Sequence, residues 1–145
     1  MNTNEIDGIG HINYLFSEMQ ALYHQASLRL GITDSVSVVL YTIHVSGEDC
    51  LLRDVYRLSG VSKQTVNSAI RRLEADGVLR LEADTGRSKR IILTEAGRAL
   101  IQRTVARLYD AEVQAFSSWT PDEIETYTGL MSRYADCLRQ QIERL

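Results

Sequence analysis

The chain has 145 residues, of which 44% are hydrophobic and 24% charged, and its formal net charge is −3. This composition is that of a globular protein, and the length excludes two ordinary enzyme domains. The charge is uneven, because residues 50–107 hold twelve Lys or Arg against six Asp or Glu, a net +6, whereas the remainder carries −9. Such asymmetry indicates a polyanionic partner for the middle of the chain.

The sequence also lacks the signals of export. Two cysteines are too few for a disulfide scaffold, and the acidic segment 1–10 has no basic start of a signal peptide. The longest apolar run, residues 36–43, is far shorter than the ~20 residues that cross a bilayer. We therefore expect a soluble, cytoplasmic protein that does not bind a membrane.

Two helices are predicted at the N-terminus. In the first, apolar residues recur at alternating spacings of three and four, which is a heptad seam. The seam consists of Ile9, Ile12, Phe16, Met19, Tyr23, Ala26 and Leu30. Gly31 is placed to end this helix, and Thr33, Asp34 or Ser35 to cap the second. The apolar face of the second helix is Val36, Val39, Leu40 and Ile43.

Residues 51–77 have the pattern of a helix-turn-helix. The first helix has an apolar face at Leu51, Leu52, Val55 and Leu58. Gly60 lies at the turn, where a positive φ is needed. Ser62 is placed to cap the second helix, whose inward residues are Val66, Ala69, Ile70 and Leu73.

The outward face of this second helix is rich in hydrogen-bonding groups and cations, and Glu74 is its one acid. Its members are Lys63, Gln64, Thr65, Asn67, Ser68, Arg71 and Arg72. Amide and hydroxyl groups can read base edges, and Arg and Lys bind guanine or phosphate. The alternative is an ordinary solvated helix face, but such faces usually carry more Glu. We therefore predict that this helix contacts double-stranded DNA.

A β-hairpin is predicted next. Residues 78–83 alternate in polarity, 84–86 form a turn, and 89–93 return as a second strand. The loop and the return hold Arg87, Lys89 and Arg90. A hairpin with cations at its tip beside a helix-turn-helix is a wing, whose Arg can enter the adjacent minor groove.

The C-terminal part is predicted to be helical throughout. Residues 94–117 have the pattern of one long helix, and Thr120 to Glu123 form a capping box with Pro121 at the first helical position. Behind the box, apolar residues again recur at helical spacing: Ile124, Tyr127, Met131, Tyr134, Leu138, Ile142 and Leu145.

These elements predict a mainly α fold with a small β-hairpin, a winged helix-turn-helix flanked by long dimerisation helices. The basic middle is too small to cover the apolar faces of both outer helices, so we expect a homodimer. The predicted segments are an N-terminal dimerisation helix at 1–33, the winged helix-turn-helix at 34–94 and two C-terminal dimerisation helices at 95–145.

Residues 52–97 resemble the winged helix-turn-helix of the MarR family of bacterial transcription regulators. Three runs carry the resemblance, residues 61–66, 72–79 and 87–97, and the flanking helices are similar to the family's dimerisation arms. The resemblance implies a homodimer on a pseudo-palindromic operator. It most often implies a repressor that a small phenolic or lipophilic ligand, or thiol oxidation, releases from DNA.

Two positions depart from the family pattern. The wing of the family commonly reads Asp-x-Arg, whereas here Thr85 stands two residues before Arg87 and the acid is Asp84. This shift puts the contact that usually steadies the wing arginine in question. In the first helix of the motif, Tyr56 replaces the usual small residue. Its ring must either push the two helices apart or tilt outward.

Enzyme chemistry is not expected. His11, His24 and His44 all precede the basic segment without the spacing of a helical metal site, and no phosphate-binding glycine loop or activated-serine motif occurs. We predict no catalytic residue, metal or cofactor.

The two cysteines have different surroundings in the sequence. Cys50 follows Glu48-Asp49, which should raise the pKa of its thiol. Cys137 lies beside the C-terminal seam, where we expect a buried thiol. Redox sensing by either is not favoured.

A small-molecule effector would bind where the first two helices meet the winged domain. Five residues could supply polar groups to an aromatic or carboxylate ligand: His11, Tyr14, His24, Tyr41 and His44. The alternative for each is a place at the edge of the core or in the dimer interface.

The DNA-binding residues are assigned distinct roles. Base reading is predicted for Gln64, Thr65, Ser68 and Arg71, phosphate contact for Lys63, Asn67 and Lys89, and minor-groove insertion for Arg87. Ser62, Ser88 and Arg90 complete the predicted interface. The competing interpretation is a winged-helix module that binds a protein and leaves DNA alone.

Overall fold

The computed structural model describes residues 3–145, with side chains from residue 7 onward. Residues 1 and 2 belong to the predicted N-terminal dimerisation helix, 1–33, and to the acidic segment 1–10, and they lie outside the described residues. The elements are α1 (Thr3–Leu30), α2 (Asp34–Ser46), α3 (Leu52–Leu58), α4 (Lys63–Ala75), β1 (Leu79–Ala83), β2 (Lys89–Leu93), α5 (Glu95–Arg103), α6 (Val105–Phe116) and α7 (Pro121–Ile142). The predicted fold class, mainly α with one hairpin, is confirmed.

The core lies inside the winged helix-turn-helix. The predicted apolar faces of α2 and α4 are buried throughout, and Val39 and Leu40 are fully enclosed. Val55 is the buried residue of α3, whereas Leu58, predicted on the same face, is exposed. Thr33 is the cap of α2, and its hydroxyl accepts a hydrogen bond from the Val36 amide. Burial of these side chains supplies the main driving force for this domain.

Two glycines fix the geometry around α4. Gly60 has φ +72°, so it allows the tight turn between α3 and α4. Gly97, on α5, lies against the residue that precedes β1, where an added Cβ would approach the Val78 carbonyl oxygen to 2.0 Å. No side chain fits at Gly97, and α5 therefore packs directly against the backbone at the base of the hairpin.

The hairpin is antiparallel, with Leu79 opposite Leu93 and Ala83 opposite Lys89. Its β2 strand also pairs with the segment before α3, since the Ile91 amide donates to the Cys50 carbonyl at 3.0 Å and Leu51 bridges Arg90. These bonds hold the hairpin against the start of the helix-turn-helix. The position of the wing is thereby coupled to that of α3.

The prediction of one helix over 94–117 is wrong at Thr104. This residue has φ −123° and ψ −97°, and it separates α5 from α6. Its buried hydroxyl donates to the Leu100 carbonyl at 2.6 Å. A threonine that bonds the carbonyl four residues before it competes with the helical hydrogen bonds and bends the chain.

The chain forms two compact units that meet in sequence between Tyr109 and Asp110. In the second unit the capping box is present as predicted, because Thr120 and Glu123 each accept from the other's backbone amide. None of the α7 residues is buried, and the expectation of a buried Cys137 is wrong for the single chain. The apolar sides of both α7 and α1 are exposed, including Met19, Leu22, Leu130 and Leu138.

Candidate nucleic-acid interface

Helix α4 begins at a well-formed cap. The Ser62 hydroxyl accepts from the Thr65 amide at 3.1 Å and lies 2.9 Å from the Thr65 hydroxyl. Both side chains are therefore engaged with one another at the start of the helix. Because its apolar side is buried, α4 is held with its polar side outward.

The predicted contact residues of α4 lie together on this outward side. Lys63, Gln64, Ser68 and Arg71 are exposed, whereas Thr65 and Asn67 are half-buried. Arg72 lies within 3.9 Å of Asp76, one turn further along. Within the described residues, neither Lys63 nor Arg71 forms an ion pair, so their charges are available to a polyanion.

Tyr56 occupies the space between α3 and α4. Its half-buried ring packs against the core, and its hydroxyl donates to Asn67 Oδ1. The ammonium group of Lys63 lies 5.3 Å from the centre of the same ring, within the range of a cation–π contact. The tyrosine therefore links the two helices with its hydroxyl toward α4.

A groove of about 590 Å³ separates α4 from the wing. Four basic residues line it, Arg53, Arg71, Arg87 and Lys89, against one acid, Glu74; Tyr56 and Asn67 line it as well. The Arg53 guanidinium also donates to the Ser88 hydroxyl at 3.4 Å, so it joins α3 to the wing. Sequence reasoning missed Arg53 as an interface residue, although its place two positions before the buried Val55 indicated an outward side chain.

The arginines of the wing differ in their surroundings. Arg90 pairs with Asp84, whose Oδ1 lies 3.2 Å from Nη2, and with Asp49. These two carboxylates, Asp84 foremost, raise the pKa of Arg90. Arg87 is exposed and, among the described residues, has no acidic partner. The shifted acid Asp84 thus holds Arg90 in place of the wing-tip arginine, and Arg87 keeps its full charge for a ligand.

The cysteines differ as well. Cys50 is a buried core residue, and burial is the main cause that raises the pKa of its thiol. The predicted direction is correct, but the predicted cause, the neighbouring Glu48 and Asp49, is not the dominant one. Since the thiolate is the reactive form, burial and the raised pKa disfavour reaction of Cys50 with oxidants. Within the described part of the chain, no cluster of His, Cys, Asp or Glu side chains is placed to hold a metal ion.

The five residues suggested for an effector do not form one cluster of contacts. Tyr41 and His44 both pack near the Tyr109 ring, with centroid distances of 6.4 and 5.7 Å. His24 lies 2.7 Å from Asp34, and this hydrogen bond lowers the pKa of Asp34. His11 and Tyr14 are exposed on α1. Their role in binding an effector stays a prediction.

A second groove, of about 530 Å³, joins the end of α1 and the start of α2 to the end of α4 and to α5. Its walls are largely apolar, with Leu28, Ile32, Val36 and Leu100 among them. Its charged residues are Arg72, Arg103 and one acid, Asp76. Among the described residues, no helix has the length and apolar character required to cross a membrane.

Comparison with known proteins agrees with this geometry. Residues 30–91, which contain the helix-turn-helix and most of the wing, match the model of the MarR family. The HTH-type transcriptional regulator YwaE of Bacillus subtilis is 30% identical over 103 residues, which are 69% of this chain. That match spans 59% of the length of YwaE.

Solved structures have the same fold. NMB1585, a MarR family regulator from Neisseria meningitidis, superposes with a TM-score of 0.81 over 99% of both chains, at 17% identity. BpsR of Bordetella bronchiseptica is 25% identical and superposes with a TM-score of 0.65 over 88% of this chain and 98% of its own. The DNA binding of BpsR is regulated by 6-hydroxynicotinic acid. These relatives are regulators and not enzymes. With the family match over its winged helix-turn-helix, the chain belongs to the MarR family of transcription regulators.

Proposed function

We propose that this protein binds operator DNA as a homodimer and represses transcription from the cytoplasm. The observation that carries the proposal is the groove between α4 and the wing, where Arg53, Arg71, Arg87 and Lys89 converge beside half-buried hydrogen-bonding side chains. Helix α4 enters the major groove, and Arg87 enters the neighbouring minor groove. Arg90, which is held by two carboxylates, supports the wing and contributes less to binding than Arg87.

The exposed apolar sides of α1 and α7 support the homodimer. Helix α1 has 28 residues and α7 has 22, so at 1.5 Å per residue they span about 42 and 33 Å. Contiguous apolar surface on this scale marks a protein interface. Pairing with a second copy covers these helices and places two α4 helices on one face of a DNA duplex.

An effector is part of the proposal. The groove of about 530 Å³ touches the end of α4, so a bound molecule there biases the position of the recognition helix relative to α1 and α2. The regulation of BpsR by 6-hydroxynicotinic acid supports this reading. A carboxylate with an apolar or aromatic body matches the charge of Arg103, whereas Arg72 already lies near Asp76.

Footprinting on a site selected from random DNA tests the proposal. We expect two inverted half-sites whose centres lie about one helical turn, ~34 Å, apart, with two chains bound per duplex. A reporter fused to the selected site should be expressed more strongly when the protein is removed. A module that binds only another protein selects no site, and that result would contradict the proposal.

A further inference from the structure

We propose that Tyr56 determines which DNA bases Asn67 can read, by holding the Asn67 side chain as a hydrogen-bond donor. Asn67 then contacts a base in place of the phosphate contact predicted from the sequence. The inference rests on the proposed function, since it concerns bases contacted by α4. It assigns a positioning role to a tyrosine that lies on the neighbouring helix α3.

The orientation of the Asn67 amide group decides which base edges it can bond. An asparagine that is free to rotate can accept with Oδ1 and donate with Nδ2, and this pair matches the N6 and N7 edge of adenine. Here the Tyr56 hydroxyl donates to Asn67 Oδ1. The oxygen is therefore directed toward α3, and the amide plane leaves Nδ2 with its two hydrogens as the free end of the side chain.

Tyr56 is itself held in place by its contacts. Its ring is half-buried against the core, and the Lys63 ammonium lies 5.3 Å from the ring centre. Lys63 and Asn67 are four residues apart on α4, so both lie on the side of the helix that faces Tyr56. Contacts with the core and with two residues of α4 fix the hydroxyl, and thereby fix the amide.

The four bases differ in how well they match a donor at Asn67. A donor directed at the major groove suits guanine, which presents only acceptors there, and thymine, which presents O4. It is mismatched to cytosine, whose N4 group is itself a donor. Adenine loses the bidentate contact because Oδ1 is engaged elsewhere. Asn67 should therefore favour guanine or thymine over cytosine at one position in each half-site by about three- to tenfold, the range of one hydrogen bond, and should not prefer adenine, which keeps only the single bond to N7.

Tyr56→Phe isolates the hydroxyl, since the ring and its packing remain. Binding is measured to the selected operator and to every single-base variant of one half-site. We expect the variant to gain about three- to tenfold in relative affinity for adenine at the position that Asn67 contacts, without change at other positions. Tyr109→Phe makes the same chemical change outside the interface and should leave the profile unaltered.

The double variant shows whether the effect passes through Asn67. In an Asn67→Ala background, Tyr56→Phe should no longer change the profile, because the group that Tyr56 directs is gone. An unchanged profile in Tyr56→Phe, or a uniform loss of affinity at all positions, would overturn the inference. A merely structural tyrosine produces the uniform loss.

A measurement on the free protein separates this inference from the proposed function. The Asn67 side-chain amide resonances should shift in Tyr56→Phe and stay in place in Tyr109→Phe. If the resonances do not move, the Tyr56–Asn67 bond is absent and the inference fails whatever the protein binds. If they move but the wild-type protein selects no DNA, the failure lies in the proposed function, and with it the base-reading role of Asn67 is also overturned.

Discussion

Helices α4 and α7 are both amphipathic, but they use opposite sides. The apolar side of α4 is buried within the chain, with Ile70 and Leu73 at 3% and 2% exposure, and its polar side remains free. The apolar side of α7 is exposed, with Leu130 at 50% and Leu138 at 40%. A helix whose apolar side is covered offers its polar side to a ligand, whereas a helix whose apolar side is uncovered offers that side to a partner chain.

The largest effect is expected from a charge on the uncovered side. Leu138→Glu places a carboxylate in the proposed dimer interface, where an unpaired buried charge costs about 3–5 kcal/mol. The molecular mass in solution should fall from two chains to one, and operator affinity should fall with it. Light scattering measures the mass, and Gln140→Glu, two residues further along α7, is the matched control that should remain dimeric.

Next in size is a cavity on the covered side. Ile70→Ala removes a buried side chain from the winged-domain core and should lower the free energy of unfolding by about 2–5 kcal/mol. Ser68→Ala, on the exposed side of the same helix, should change it by no more than about 0.5 kcal/mol. Urea unfolding measures both. Equal losses for the two variants would mean that α4 is not buried on the side described.

The wing provides the third comparison. Arg87→Ala should weaken operator binding about tenfold and reduce the slope of log affinity against log salt by about one, because it removes one unpaired cation. Arg90→Ala should affect that slope less, since Asp84 and Asp49 already neutralise this arginine. Fluorescence anisotropy at several salt concentrations measures both. Identical slopes for the two variants would contradict the difference between these arginines.

The smallest expected effect depends on pH. The hydrogen bond from His24 lowers the pKa of Asp34 below its ordinary value of 3.8, so its contribution to stability is present above that pH and is lost as the pH falls through the lowered pKa. Both side chains are more than half exposed, which limits the effect to less than about 1 kcal/mol. His24→Ala should therefore lower the free energy of unfolding slightly at pH 5, and this difference should shrink as the pH falls below 3.8. His11→Ala, also exposed on α1, serves as its control.

Much of the fold follows from local sequence signals. The caps at Ser62 and Thr120, the turn at Gly60 and the buried stripe of α4 depend on neighbouring residues, and each was predicted correctly. Thr104 broke a predicted helix because a hydroxyl bond to a carbonyl and burial in the core decide its backbone, and neither is visible in periodicity.

The interface was harder to predict in detail. The outward position of its predicted members on α4 followed from the spacing, but the partners of Arg90 and Tyr56 did not. Arg90 meets Asp49 across 41 positions of sequence, and Tyr56 meets Asn67 across 11. Contacts of this kind depend on how the wing and α3 pack, so charge and spacing alone could not show that Arg87, and not Arg90, is left free.

Binding of DNA by the basic groove between α4 and the wing can be measured by titrating salt against the affinity of the wild-type protein for DNA upstream of its own gene. We expect binding in preference to a scrambled duplex, with log affinity falling steeply and linearly as log salt rises. Equal binding to both duplexes, or an affinity that does not change with salt, would contradict it.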